Sequence, residues 1–247
     1  MALLETFEKQ GNWLFKRRSF FPLIILIIGG LWYVFLLHSH KVSVHAWWVD
    51  LLFLCVGLFG LSIRILTIGF TPKGTSGRNT GTGQEAEQLN TSGIYAMVRH
   101  PLYLGNFFMW LAPVLILTDL WFTLFFCAFY WIYYERIMFA EEQFLRKKFG
   151  QAYLDWANKT PAFFPKFSQY KRANLKFSLK SVLRREYSGF FGLVLTITLL
   201  RIIEFTVTTR QFYLDTPWVI IFSSAFIILV SLKMLKKFTR VLDVEGR

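Results

Sequence analysis

The residues of this chain best suited to chemistry fall in two short stretches. The first is Gly-Ile-Tyr-Ala-Met-Val-Arg-His-Pro-Leu-Tyr, Gly93 to Tyr103; the second is the pair Glu141-Glu142, followed by Tyr153 and Trp156. An arginine offers a planar fork to a carboxylate or phosphate. Adjacent carboxylates accept hydrogen bonds from an ammonium or from sugar hydroxyls. Tyrosine and tryptophan faces hold flat rings and cations, and a histidine can carry a proton. Together these types suit a small charged molecule that also bears a ring. Each also has a plainer reading. Arg99 anchors a helix end to headgroups, and Tyr103, Tyr153 and Trp156 form an interfacial aromatic belt. His100 caps a helix that Pro101 begins. Glu141 is a solvated neighbour of Glu142, because adjacent helical positions do not face one point.

The elements that position these stretches must be largely lipid-embedded. Of 247 residues, 54% are hydrophobic and 17% charged, with 28 Phe and 9 Trp. A soluble domain of this size cannot hide so much apolar surface. The net charge of +13 then reads as basic loops against anionic headgroups. No basic cluster is interleaved with aromatics in a soluble module, which argues against a nucleic-acid partner. Cys55 and Cys127 lie in separate apolar runs and suggest neither a disulfide framework nor a thiolate metal site. The opening MALLETFEKQGNWLFKRRS does not read as a signal peptide, since no small-residue cleavage site follows the first apolar run.

Taken in order, the chain predicts an all-α polytopic membrane protein with about six membrane helices. Residues 1–19 form an amphipathic helix on the membrane surface. Residues 20–170 are the core, with first spans at about Phe20–Leu37 and Trp47–Phe70. His38, His40 and His45 lie in the loop between them, which reads as solvated; no carboxylate or cysteine joins them as a metal site would require. Arg64, near the end of the second span, either snorkels to the interface or faces inward toward an anion. The polar, Gly- and Thr-rich run Thr71–Ser92 lacks a P-loop ending and a preceding strand. Leu102–Leu117 and Leu120–Tyr134 form a short hairpin around Thr118-Asp119; each arm falls below the ~20 residues that usually span. Residues 171–247 comprise a basic surface helix, Lys171–Arg185, and two further spans, within which Arg201 and Glu204 pair or snorkel. Lys and Arg concentrate on one side of this arrangement, which places both termini and the site in the cytoplasm.

S-adenosylmethionine presents a sulfonium, an ammonium, a carboxylate, ribose hydroxyls and adenine, and the residue types fit it without singling it out. A resemblance narrows the choice. Gly93-x-Tyr95, Arg99-His100-Pro101-x-Tyr103, Glu141-Glu142-x-x-Leu145, Phe149-Gly150-x-x-Tyr153-x-x-Trp156, Pro161 and Pro165 resemble the isoprenylcysteine carboxyl methyltransferase family. They resemble, more distantly, the membrane phospholipid methyltransferases. The likeness covers about Gly93–Pro165, and residues 93–165 are accordingly the expected cofactor region. It implies an S-adenosylmethionine-dependent membrane enzyme that takes a lipophilic acceptor (a carboxylate, amine or hydroxyl) from the bilayer, with no metal. By the same resemblance Tyr95, His100, Pro101, Tyr103, Glu141, Glu142 and Tyr153 would line the cofactor. Arg99 would act at the reacting end, with Glu135 or His100 as base if the acceptor needs one; Arg64 and Trp156 would face the acceptor. The 73–90 loop is longer than the family minimum, and the C-terminal spans lie outside the matching region, so the acceptor stays open. Two other classes fit an apolar chain of this kind: a membrane NADPH-dependent reductase of the sterol-reductase type, and a non-catalytic transporter or scaffold.

Overall fold

Breaks in the apolar pattern set the helices. The computed structural model describes residues 2–18, 21–42, 44–72, 79–80, 83–84, 86–244 and 246. Its helices are α1 (Leu3–Arg17), α2 (Phe21–His38), α3 (Trp47–Gly69), α4 (Pro101–Ile116), α5 (Leu120–Phe149), α6 (Gln151–Ala157), α7 (Leu179–Thr209) and α8 (Thr216–Phe238). Among the described residues the only ladder is a two-residue pairing of Asn79–Thr80 with Gly83–Gln84. The rest of the 73–85 loop lies outside them.

The helix boundaries have local causes. Pro101 occupies the first turn of α4, where a missing N–H costs nothing. Asp119 caps α5, its Oδ1 accepting from the Phe122 N–H at 2.6 Å, so the hairpin turn falls at the predicted Thr118-Asp119. Gly150 ends α5 at φ 56°, ψ −127°, a conformation open to glycine alone, and it folds α6 back onto the site. The expected surface helix Lys171–Arg185 is a correction: helix begins only at Leu179. Ser178 caps it, its Oγ accepting from the Ser181 N–H at 3.3 Å. The preceding segment is irregular, pinned at its two ends where the Gly93 N–H donates to the Lys171 carbonyl at 2.9 Å and the Ser178 N–H to the Gly69 carbonyl at 2.9 Å.

Among the described residues three helices are long and apolar enough to cross a membrane: α3, α7 and α8. Counting α1 with the bulk of α2 as one bent span gives four. The expected count of about six is therefore not reached on length and composition. α4 has 16 residues, and α5 carries its charged second half within a single 30-residue helix. Helix ends nevertheless sort into two groups. The start of α2, end of α3, start of α4, start of α7 and end of α8 surround one cavity. At the opposite end, Arg201 of α7 gathers Asp50 of α3, Glu204 and Asp215, with Nη1 or Nε at 3.6, 2.8 and 2.8 Å. The Arg201 guanidinium also donates to the His45 carbonyl at 2.7 Å, and the His45 N–H donates to Glu204 at 2.8 Å. Arg201 and Glu204 thus pair, at 2% and 0% exposure, rather than snorkel. His45 is tied into this cluster, where a solvated loop was expected.

Two glycines set the packing that holds the site. A Cβ on Gly60 of α3 would collide with the Gly105 carbonyl of α4, and one on Gly105 with the Gly60 carbonyl. The two backbones therefore touch, which places Arg64 directly over the first turns of α4. Gly11 of α1 likewise leaves no room for a side chain against the Arg136 carbonyl and Ala140 of α5. So α1 does not merely lie on a surface: it packs along α5, Phe7 meeting Phe139 and the Arg136 guanidinium. Leu3, Leu4 and Trp13 still face outward.

Candidate functional site

The Arg-His-Pro turn is built from backbone. The Arg99 and His100 N–H groups donate to the carbonyls of Pro161 and Ala162 at 2.9 and 3.2 Å, and the Lys166 N–H donates to the Met97 carbonyl at 3.0 Å. Both predicted prolines thus lie in a bent, non-helical segment that clamps the turn. The His100 backbone sits at the helix N-cap, but its side chain makes no cap hydrogen bond. The ring instead faces the twin glutamates.

His100 Nε2 lies 2.9 Å from Glu142 Oε1, and Nδ1 lies 3.7 Å from Glu141 Oε2. The Tyr103 hydroxyl donates to Glu141 Oε2 at 2.9 Å. Arg99 Nε lies 3.3 Å from Glu142 Oε1, and its Nη1 approaches the Ala157 carbonyl at 3.5 Å. Both glutamates therefore face the same turn: Glu142 takes His100 and Arg99, and Glu141 takes Tyr103. Burial opposes ionisation of Glu142, but the hydrogen bond with His100 and the charge of Arg99 outweigh it and hold the carboxyl below its usual range. Burial, then the Glu142 charge, pushes the Tyr153 phenol above its usual range. That hydroxyl is buried beside Glu142 without a well-formed hydrogen bond.

The aromatic residues converge as well. The Trp156 indole N–H donates to the Tyr95 carbonyl at 3.1 Å, and Tyr153 packs edge-on against Trp156. His100 stacks on Tyr103, and Tyr103 lies against Tyr134, at centroid distances of 5.6 and 5.0 Å. The Tyr130 hydroxyl donates to the Tyr103 carbonyl at 2.7 Å. Glu135 is not brought in: its partner is the adjacent Arg136 at 3.0 Å, and its side chain is 48% exposed.

Arg64 turns inward. Its Nε and Nη2 donate to the two oxygens of Glu186 at 2.6 and 2.7 Å, and its Nη1 donates to Asn106 Oδ1 at 2.7 Å. Sequence reasoning missed Glu186, Asn106 and Asp50. The available signal was an acid set inside a basic run or an apolar span, which demands a partner.

A residue set of this kind can hold a cationic, hydroxyl-bearing ligand with a flat ring. The glutamates are ready acceptors, Arg99 and Tyr153 offer donors, and rings lie on two sides. Among the described residues no group of three or more His, Cys, Asp and Glu is arranged to bind a metal.

The family profile described as Phospholipid methyltransferase matches residues 51–152. The chain is 31% identical over 148 residues to the cobalt-zinc-cadmium resistance protein CzcN of Cupriavidus metallidurans, covering 58% of this chain and 65% of that one. It is 34% identical over 116 residues to the protein-S-isoprenylcysteine O-methyltransferase of Schizosaccharomyces pombe, covering 46% and 47%. Tribolium castaneum has a protein of the same name that is 28% identical, covering 50% of this chain and 44% of that one. The chain thus spans between about half and two thirds of the length of these relatives. No solved structure gives a significant match. The stretch that resembles the phospholipid methyltransferase family, residues 51–152, carries Arg64, the Arg99-His100-Pro101 turn and Glu141-Glu142.

Proposed function

We propose that this chain is an integral-membrane methyltransferase that moves a methyl group from S-adenosylmethionine to a lipophilic acceptor entering from the bilayer. The observation that carries the reading is the closure of the Arg-His-Pro turn on the twin glutamates, with His100 2.9 Å from Glu142 and Tyr103 2.9 Å from Glu141. S-adenosylmethionine, when bound, supplies an electrophilic methyl on a sulfonium. Glu141 and Glu142 accept hydrogen bonds from its ammonium or ribose hydroxyls. Arg99 meets its carboxylate or an acidic group of the acceptor. Tyr95, Tyr103, Tyr153 and Trp156 provide ring faces for adenine and sulfonium. Pro101 fixes the first turn of α4, so that His100 is held at the site's edge.

The catalytic demand on the protein is alignment and exclusion of water. A carboxylate acceptor is already ionised near neutral pH and requires no base. An amine or hydroxyl acceptor would hand its proton to His100, since Glu135 is engaged with Arg136. The helices α2, α3, α4, α5, α7 and α8 run alternately between the two ends. We read them as six crossings, α4 and the first half of α5 being a short hairpin in thinned bilayer. The basic end, which bears the site and both chain ends, then faces the cytoplasm.

Calorimetry of detergent-purified protein with S-adenosylhomocysteine tests the donor claim. Wild type gives saturable heat, and Glu142→Ala weakens it at least tenfold; absence of heat in wild type sinks the reading. Transfer of radiolabelled methyl into membrane lipid extracts identifies the acceptor.

A further inference from the structure

Glu186 stands near the start of α7, outside residues 51–152, yet it is fixed to them. It is 4% exposed, and the Arg64 fork meets its two oxygens at 2.6 and 2.7 Å. The remaining Arg64 terminus, Nη1, donates to Asn106 Oδ1 at 2.7 Å. One chain of charged and polar contacts therefore ties α7 to α3 and α4. An ion pair this buried adds little stability over an apolar pair of similar volume. What a two-bond fork adds is orientation, because it fixes the plane of the guanidinium.

That orientation bears on the candidate site in two ways. Asn106 follows Tyr103 by three positions on α4, so the two side chains share a face, and Tyr103 carries the hydrogen bond to Glu141. A Cβ on Gly105 would also strike the Arg64 stem, so the arginine bears directly on this turn. In addition, Arg64, Asn106, Glu186, Tyr103 and Tyr134 line one cavity of about 670 Å³. The N–H groups that Glu186 and Asn106 leave on Arg64 are the ones a molecule in that space meets. Glu186 is the only acid among the described residues around the cavity, so no other carboxylate lining it can take over the arginine.

We infer that Glu186 is a positioning residue for methyl transfer, acting through Arg64 to hold Tyr103 and the cavity-facing N–H groups in place beside the donor site. The role in transfer rests on the methyltransferase reading; the placement of Tyr103 by the chain Glu186–Arg64–Asn106 does not. Two substitutions break the fork without removing a charge. Glu186→Asp is too short to reach both nitrogens, and Arg64→Lys has no fork to offer.

The test uses the full chain in non-ionic detergent and three readouts. These are calorimetry with S-adenosylhomocysteine, transfer of radiolabelled methyl from S-adenosylmethionine into a membrane lipid extract, and fluorine NMR of protein carrying fluorinated tyrosine, with Tyr103→Phe assigning the Tyr103 signal. In Glu186→Asp and in Arg64→Lys the maximal transfer rate should fall at least tenfold and the Tyr103 signal should move, while S-adenosylhomocysteine affinity stays within threefold of wild type. The double variant should be no slower than the slower single one, within threefold, because both changes break the same contact. Arg201→Met, destabilised at the opposite end of the bundle, should transfer methyl at the wild-type rate per folded molecule and leave the Tyr103 signal in place; a Glu186 that only supported the fold would give that pattern instead. Wild-type transfer by Glu186→Asp overturns the proposal, as do losses that multiply in the double variant or an equal loss in Arg201→Met. If Glu186→Asp does not fold, Glu186→Gln is read the same way. Wild type that neither binds S-adenosylhomocysteine nor transfers methyl sinks the methyltransferase reading and with it the role in transfer, while the Tyr103 signal still upholds or overturns the placement.

Discussion

His100 Nε2 and Glu142 Oε1 lie 2.9 Å apart across 42 positions of sequence. One is held by a backbone clamp at the start of α4, the other by the last turns of α5, so neither can shift without its helix.

Removing the charge at that contact is the sharpest test of it. Glu142→Gln keeps the shape but weakens every charge-assisted bond, each of which contributes about 1.5–3 kcal/mol. S-adenosylhomocysteine affinity should fall roughly ten- to hundredfold. Glu141→Gln, whose direct partner is Tyr103, should lose less. Calorimetry on both variants checks the order.

Acid should act through the same carboxyl. The Glu142 pKa is held below its ordinary value in the fold. Its contribution to stability is therefore complete above the ordinary carboxylate range and lost as pH falls through the depressed value. Thermal unfolding of wild type and Glu142→Gln, followed from about neutral to acid pH, should show a gap in melting temperature that closes on acidification. Tyr153 is pushed the other way, so it stays a neutral phenol at alkaline pH; in ultraviolet titration, Tyr153→Phe should lose one late-ionising tyrosine relative to wild type.

Much of the site was legible before the fold. Arg99, His100, Tyr103 and Glu142 carry chemistry that few structural positions require, and Gly150 and Pro161 mark where the chain must turn back. Arg64 was legible as a charge but not as a pair, because Glu186 lies 122 positions away and no local spacing links them. The helix boundary at Leu179 was missed for a related reason. Leucine spacing favours helix from Lys171 onward, but long-range backbone bonds to Gly93 and Gly69 hold residues 171–178 out of helix. The expected span count is not reached at α4 and α5, because α4 has only 16 residues and α5 runs from an apolar first half straight into a charged second half.

The opposite end of the bundle should govern stability rather than binding. Arg201→Met leaves Asp50, Glu204 and Asp215 without their shared cation, and breaking a buried pair costs about 3–5 kcal/mol. Adding Glu204→Leu should restore part of the loss. Thermal unfolding in detergent reads both, with S-adenosylhomocysteine affinity of the folded fraction unchanged.

The contact of α3 with α4 predicts a contrast between two glycines. Gly60→Leu forces the helices apart at Gly105 and should cost about 1–3 kcal/mol or more. Gly30 of α2 has open space around it, so Gly30→Ala should leave the melting temperature unchanged or raise it slightly. Parallel melts of the two proteins decide.

The clamp between residues 97–100 and 161–166 is made of main-chain carbonyls and amides, which nearly every amino acid supplies. Apart from Pro161 and the buried Phe163, side chains along the clamping strap are thus open to evolutionary drift, while its continuity is not. A protease nick there, changing no side chain at all, would set the histidine loose as surely as replacing it.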